Sequence, residues 1–188
     1  MKDYEVEASD ADLVALAREG DRPAFAELVR RHETDVFNLA LRLGAGRDSA
    51  SEIAQETWIR VWRGLAGFRG EATFSTWVYR ITVNTASTYR HRRRREKVVD
   101  LTDYAEPEET RAAALPEPMA DNDDLRRRLM SALSELSPAL RVVVVLKDIY
   151  GWTHPEIAQT LGISVTATKV RLHRGHQSLQ RHLRGSGR

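Results

Sequence analysis

Apolar residues recur at spacings of three and four along nearly the whole chain, which is the pattern of helices that bury one face. Alternation of apolar and polar residues over the length of a strand does not occur outside a valine run at 142–145. The pattern therefore predicts an all-α protein.

Glycines and capping residues divide the first half of the chain into four predicted helices. The third is expected to open with a capping box formed by Ser49 and Glu52, two residues that would bond each other's backbone amides. The fourth is expected to run from about Phe74 past Tyr89. The stripe that the third helix is expected to bury comprises Ala54, Trp58, Val61, Trp62 and Leu65.

A second helical unit is predicted to begin near Asp124. It follows a segment rich in acid, proline and alanine, in which residues 98–124 carry nine acidic side chains and one basic side chain. We therefore predict two small helical domains, at residues 9–97 and 124–184, joined by a flexible acidic linker at residues 98–123.

The segment at 153–175 has the pattern of a helix-turn-helix. Thr153 and Glu156 form a predicted capping box, Ala158 is small where two helices must cross closely, and Gly162 suits a turn with positive φ. The second helix carries a basic outer face that fits the major groove of DNA. An ordinary helical hairpin with a solvated basic face is the alternative.

Residues 68–95 combine a polar loop, aromatic side chains, Asn84 and a run of arginines. Exposed bases of single-stranded DNA stack on aromatic rings and hydrogen-bond to amides, so this combination suits such a ligand. Aromatic residues at helical spacing are also common in cores, and an arginine run is often a solvated face. Both interpretations stay open at this point.

The composition excludes several classes of function. Without cysteine there is no disulfide, no thiolate metal site and no cysteine nucleophile. No apolar run approaches the roughly 20 residues of a membrane helix, and the acidic start resembles no signal peptide, so we expect a cytoplasmic protein without membrane insertion. The histidines do not stand at metal-ligand spacing with carboxylates, and we expect no metal, no cofactor and no enzymatic activity.

Three ordered motifs, at residues 52–62, 68–84 and 156–174, resemble those of extracytoplasmic-function (ECF) sigma factors, the small two-domain class of the bacterial sigma family. The resemblance implies a chain that binds core RNA polymerase, recognises the minus-thirty-five and minus-ten promoter elements and helps to open DNA. A helix-turn-helix regulator that is not a polymerase subunit is the alternative, and it leaves residues 48–97 unexplained.

The resemblance also implies roles for particular residues. One face of the third helix is expected to dock on the clamp helices of core polymerase. The loop at 68–74 and Asn84 are expected to hold a base flipped from the non-template strand. The core-binding residues are Asp48, Glu52, Gln55 and Glu56; the minus-ten residues are Phe68, Arg69, Gly70, Thr73, Phe74, Asn84, Arg90, Arg93 and Arg94; the minus-thirty-five residues are Ser164, Thr166, Lys169, Val170, His173 and Arg174.

The sequence departs from the family pattern in the second helix of the helix-turn-helix. Val170 stands where a serine is common, on the side expected to face the bases, and Thr166 stands where glycine is common. We therefore assume no typical minus-thirty-five sequence. The resemblance further implies inhibition by a separate anti-sigma protein.

Overall fold

The computed structural model describes residues 8–44, 46–99 and 120–185, with side chains described at 8–44, 46–95 and 127–182. Within these residues every regular element is helical, so the all-α prediction is confirmed there. The helices are α1 (Asp10–Arg18), α2 (Arg22–Arg42), α3 (Arg47–Gly64), α4 (Phe74–Val99), α5 (Ala120–Ser134), α6 (Pro138–Val144), α7 (His154–Leu161) and α8 (Val165–Gly185), with a 3-10 turn at Leu65–Gly67 and a π-helical turn at Val145–Ile149.

The chain divides into two units. The first comprises residues 1–40 and 48–98, and the second comprises residues 41–47 and 99–188. The predicted linker at 98–123 is helical at its described ends, because α4 continues to Val99 and α5 begins at Ala120. The remainder of that predicted linker, residues 100–119, lies outside the described residues.

The first unit buries apolar side chains from α1 to α4 in one core. Its members include Leu13, Val14, Leu28, Val36, Val61, Leu65, Phe74 and Val78. The helix that supplies Leu13 and Val14 begins with a capping box of Ser9 and Asp12, which the sequence analysis did not identify. Burying these faces removes apolar surface from water, which is the main driving force for the unit.

Two predictions about α3 are wrong. The helix begins at Arg47, so Ser49 lies inside its first turn and does not form the expected capping box; the Ser49 hydroxyl instead accepts a hydrogen bond from the Tyr89 hydroxyl at 3.1 Å. Trp62, expected in the buried stripe, has 39% of its surface exposed. Val61 and Leu65 of the same stripe are buried as predicted.

The second unit contains the predicted helix-turn-helix. Thr153 and Glu156 form the capping box of α7, and Gly162 ends that helix with φ of 63°, as predicted. Gly175 of α8 lies against α6 so closely that a Cβ there would stand 2.5 Å from Val144 Cγ2. This close approach fixes which face of α8 turns inward. Among the described residues, no helix combines the length and hydropathy that crossing a bilayer requires.

Candidate polymerase and promoter interfaces

The four predicted core-binding residues of α3 lie along one face of the helix. Asp48, Glu52 and Gln55 are exposed, and Glu56 is partly exposed beside them. Their spacings of four, three and one place them on adjacent turns of the same side. The structure therefore presents three carboxylates and one amide together.

A groove of about 410 Å³ runs between this face of α3 and the neighbouring face of α4. Both glutamates at its edge have basic partners, since Arg60 Nε donates to Glu56 Oε1 at 2.8 Å and Arg92 lies 3.9 Å from Glu52 Oε2. The groove is lined by Glu52, Ile53, Gln55, Glu56, Ile59, Arg60, Thr85, Thr88, Tyr89 and Arg92. Charge in the groove is thus balanced, and hydroxyl and apolar groups lie between the charges.

Two large apolar side chains extend the acidic face toward the C-terminus of α3. Ile59 and Trp62 each have 39% of their surface exposed. The ring centre of Trp62 lies 4.7 Å from that of Phe25. Sequence analysis missed Ile59 and placed Trp62 in the core. The signal was available, because residues 48, 52, 55, 59 and 62 follow the same helical spacing.

The loop before α4 is held by aromatic contacts and by a cap. Phe68 lies 4.8 Å from Trp77, ring centre to ring centre, and Gly70 turns the chain with φ of 73°. Thr73 caps α4, because its hydroxyl accepts from the Thr76 amide at 3.2 Å. Arg69 and Gly70 are exposed at the tip of this loop.

Phe74, predicted as a minus-ten residue, is a core side chain in this structure. It is 5% exposed, and its ring centre lies 5.5 Å from that of His32 and 6.2 Å from that of Phe68. Since almost none of its surface reaches solvent, it supports the loop from beneath and presents no face to DNA.

The predicted contacts on α4 differ in exposure. Asn84 and Arg94 are exposed, whereas Arg90 and Arg93 are half-buried. Burial lowers the pKa of the Arg90 guanidinium below its usual range. Arg93 Nη1 donates to the Tyr89 hydroxyl at 3.5 Å. The arginine run is therefore not a single solvated surface.

On α8, by contrast, all the predicted minus-thirty-five residues are exposed. Ser164 precedes the helix and caps it, accepting from the Ala167 amide at 3.0 Å. The side chain of His173 is hydrogen-bonded to Gln177 one turn later, at 3.0 Å. The exposed set comprises Ser164, Thr166, Lys169, Val170, His173 and Arg174. Val165, at the start of α8, is also 39% exposed.

No group of three or more histidine, aspartate or glutamate side chains in the described part of the chain is arranged to hold a metal ion. Histidine rings there contact single carboxylates, His176 Nε2 with Asp148 Oδ2 at 2.6 Å and His32 Nε2 with Asp10 Oδ2 at 2.6 Å, and Arg31 also contacts Asp10.

Comparison with known proteins assigns both units to one family. Residues 28–96 match the family model of sigma-70 region 2, and residues 126–179 match that of sigma-70 region 4. The ECF RNA polymerase sigma factor SigE of Mycolicibacterium smegmatis is 36% identical over 164 residues, which cover 86% of this chain and 62% of the relative. The chain belongs to the ECF group of the sigma-70 family. It spans about three fifths of the length of that SigE relative.

A second ECF relative matches over almost its entire length. The ECF RNA polymerase sigma-E factor of Haemophilus influenzae is 29% identical over 178 residues, covering 92% of this chain and 94% of the relative. Among solved structures, the sigma factor RpoE of Bartonella quintana, in complex with the anti-sigma factor NepR, has a TM-score of 0.69 at 22% identity. That match covers 85% of this chain and 96% of the other and shows that the two share a fold.

Proposed function

We propose that this ECF sigma-70 family member is the promoter-specificity subunit of RNA polymerase. In this proposal α3 docks on core polymerase, the loop at 68–73 with α4 holds an unpaired base of the minus-ten element, and α8 reads the minus-thirty-five element. The observation that carries it is the combination within the first unit of an exposed acidic face on α3 and an exposed amide, Asn84, on α4. A helix-turn-helix regulator acting alone has no use for that combination.

The α3 face suits a basic partner helix with an apolar edge. Its carboxylates favour the encounter with positive charge, and such charges change association rates more than final affinity. Ile59 and Trp62 supply apolar area beside the carboxylates. Partly exposed aromatic residues commonly carry a large share of interface energy. We therefore assign docking to Asp48, Glu52, Gln55, Glu56, Ile59 and Trp62.

The minus-ten contact uses groups that can capture a base. Asn84 offers an amide that donates and accepts hydrogen bonds, and the Phe68 and Trp77 rings support the exposed loop that carries Arg69 and Gly70. Capture of an unpaired base offsets an unstacking cost of a few kcal/mol, which allows opening without ATP. The duplex upstream is held by cations at the end of α4.

The minus-thirty-five contact uses the outer face of α8. Lys169, His173 and Arg174 supply donors for phosphate or guanine acceptors, and Val170 supplies an apolar surface suited to a thymine methyl group. We further propose an anti-sigma protein as regulator and the cytoplasm, where polymerase acts, as the location. The anti-sigma partner is supported by the family and by the NepR complex of the Bartonella sigma factor.

The decisive experiment measures affinity for core polymerase. The double variant Glu52→Lys with Glu56→Lys should weaken binding at least tenfold, because two attractive charges become repulsive on the docking face. The matched control is Glu19→Lys with Glu33→Lys, which reverses two exposed glutamates outside α3. Equal affinity of the test variant and the control would refute the proposed function of α3.

A second pair of variants tests the apolar part of the same face. Ile59→Ala should weaken core binding and act mainly on the dissociation rate, since apolar contacts form after the encounter. Ile149→Ala is the matched control, because Ile149 is 38% exposed and lies in the other unit. If both variants bind core polymerase like the parent, Ile59 is not part of the interface.

A further inference from the structure

The arginine run of α4 occupies four consecutive positions, 92–95, on a continuous helix. Successive residues of an α-helix point about 100° apart, so four consecutive side chains cannot share one face. The run must therefore be divided among different surroundings, and the contacts of the individual side chains show how.

One exposed stripe continues from Asn84 along α4. Thr88, His91 and Arg95 follow it at spacings of four, three and four, and all four side chains are exposed. These spacings keep the residues on one side of the helix. His91 and Arg95 therefore extend the side that carries Asn84. Arg93 points to the opposite side of the helix, and Arg92 lies about 60° around the helix from Arg95.

Arg92 and Arg93 both contact Tyr89, which faces α3. The Arg92 guanidinium lies 5.2 Å from the centre of the Tyr89 ring, and Arg93 Nη1 donates to the Tyr89 hydroxyl at 3.5 Å. The same hydroxyl donates to Ser49 Oγ of α3 at 3.1 Å, and Arg92 also lies 3.9 Å from Glu52. The two arginines thus connect the end of α4 to the first turns of α3.

We propose that Arg92 and Arg93 are positioning residues for polymerase docking, whereas His91 and Arg95 are promoter contacts, as the exposed Arg94 is already expected to be. The inference rests on the proposed function and deepens it, because it assigns the neighbouring cations of one run to two different partners. It also replaces the sequence-based assignment of Arg93 to DNA.

The assignment follows from the contacts that each side chain would lose if it turned toward a DNA phosphate. To reach a phosphate, Arg92 would leave the Tyr89 ring and Glu52, and Arg93 would leave the Tyr89 hydroxyl. Arg95 and His91 are exposed on the side of Asn84 and already face the direction in which the DNA would lie. Loss of Arg92 therefore removes a contact that orients Glu52 at the start of the docking face. Loss of Arg93 removes a hydrogen bond to the Tyr89 hydroxyl that bonds Ser49.

The test compares Arg92→Gln, Arg93→Gln, His91→Gln and Arg95→Gln in the full chain. Core affinity is measured by titration of each variant against core polymerase. Promoter affinity is then measured over a salt series with the polymerase saturated by each variant, so that a weaker docking step does not lower the amount of holoenzyme. Tyr89→Phe is added because it removes only the hydroxyl that joins Arg93 to Ser49.

We expect Arg92→Gln, Arg93→Gln and Tyr89→Phe to weaken core binding by about two- to fivefold, the range of exposed polar pairs, with an unchanged salt slope for promoter binding. Arg95→Gln should lower that slope by about 0.9, the value for one lost phosphate contact, and His91→Gln should weaken promoter binding. Neither should change core affinity. A loss of stability alone would weaken both kinds of binding together, so it would change neither the salt slope nor the ratio of core affinity to promoter affinity.

The division would be overturned if Arg92→Gln and Arg93→Gln changed promoter binding while Arg95→Gln changed core binding. It would also be overturned if the arginine variants affected core polymerase and promoter equally. Unchanged or tighter core binding by Arg92→Gln, Arg93→Gln and Tyr89→Phe would overturn it as well. Failure of the division is distinguishable from failure of the proposed function. If the Glu52 and Glu56 reversals weaken core binding but the arginine variants follow the reverse pattern, only the assignment within the run is wrong.

Discussion

Two long helices, α4 and α8, carry the basic side chains proposed for the two promoter elements, and they present them differently. On α8 every residue that the sequence assigned to DNA is exposed on the outer side. On α4 the assigned arginines differ, because Arg94 is exposed, Arg90 is half-buried, and Arg93 contacts Tyr89, whose hydroxyl bonds Ser49 of α3. Signals close in sequence, the turn at Gly162 and the cap at Ser164, set where α8 begins, and the close approach of Gly175 to Val144 of α6 sets its rotation. The rotation of α4 depends on partners forty residues away.

The largest expected effect concerns the feature that fixes α8. Gly175→Val should destabilise the second unit by about 1–3 kcal/mol or more, because the new side chain would collide with Val144, and overpacking a tight contact has costs of this size. Differential scanning calorimetry should show a lower Tm. Gly67→Val is the control, since a Cβ there meets no atom within 4 Å. A Tm equal to that of the parent would mean that this contact does not determine the rotation of α8.

The next effect tests the exposed stripe of α4. Asn84→Ala should impair promoter opening and relax the preference at one minus-ten base, because a lost base-specific hydrogen bond has a cost of about 1–3 kcal/mol. Recruitment to the duplex should change little. Permanganate footprinting on matched and single-base-changed promoters measures both properties. Parent-like opening by the variant on every template would remove the base-capture role from this helix.

A smaller effect is expected on the outer face of α8. Val170→Ser should reduce discrimination for thymine at one base pair by about fourfold, since a buried methyl-sized group contributes about 0.8 kcal/mol. Binding to a library of minus-thirty-five sequences by holoenzyme measures the change. Ile149→Ala, in the same unit but outside the helix-turn-helix, should leave the preference unchanged. An unaltered library profile for Val170→Ser would assign base reading to other residues of α8.

The smallest effect concerns a charged cluster on α2 that also contacts the chain around the start of α1. Hydrogen bonds from Arg30 and Arg31 lower the pKa of Glu27 to about 2, and Arg31 also donates to the Ala8 carbonyl at 2.7 Å. A depressed carboxyl pKa contributes stability above the unfolded value of 4.5, and this is lost as pH falls toward about 2. Glu27→Gln should therefore lower Tm at neutral pH, with the difference from the parent shrinking across that window. A difference independent of pH would contradict this role for the carboxylate.

Two similar sequence signals show how far the fold could be predicted. Thr153 with Glu156 forms a capping box, whereas Ser49 with Glu52 does not, although both pairs have the same spacing. Before Thr153 the backbone turns at Gly151 with φ of 71°, so a helix has to start afresh. Before Ser49 the helix has already begun, and the serine hydroxyl bonds Tyr89 instead. A local pattern predicts a helix start only where the preceding chain is interrupted.

The candidate site shows the same limit. The acidic face of α3 follows from helical spacing alone, and the structure presents it as expected. The burial of Phe74 and the exposure of Trp62 depend instead on which helices pack beside them, and both residue types suit either setting. Single-sequence reasoning therefore located the surfaces of the first unit better than it assigned individual aromatic and arginine side chains.

The unbroken helix between Asn84 and Arg95 also sets a distance. At about 1.5 Å per residue, the eleven steps span about 16 Å, which corresponds to roughly five base steps of 3.4 Å. Under the roles proposed for Asn84 and Arg95, this helix keeps a constant interval between the opened base and the last duplex phosphate that it contacts. Inserting one residue after Thr88 would lengthen the interval by only about 1.5 Å but would turn Arg95 by about 100°. The insertion would therefore disrupt the Arg95 contact through the change in direction much more than through the change in length.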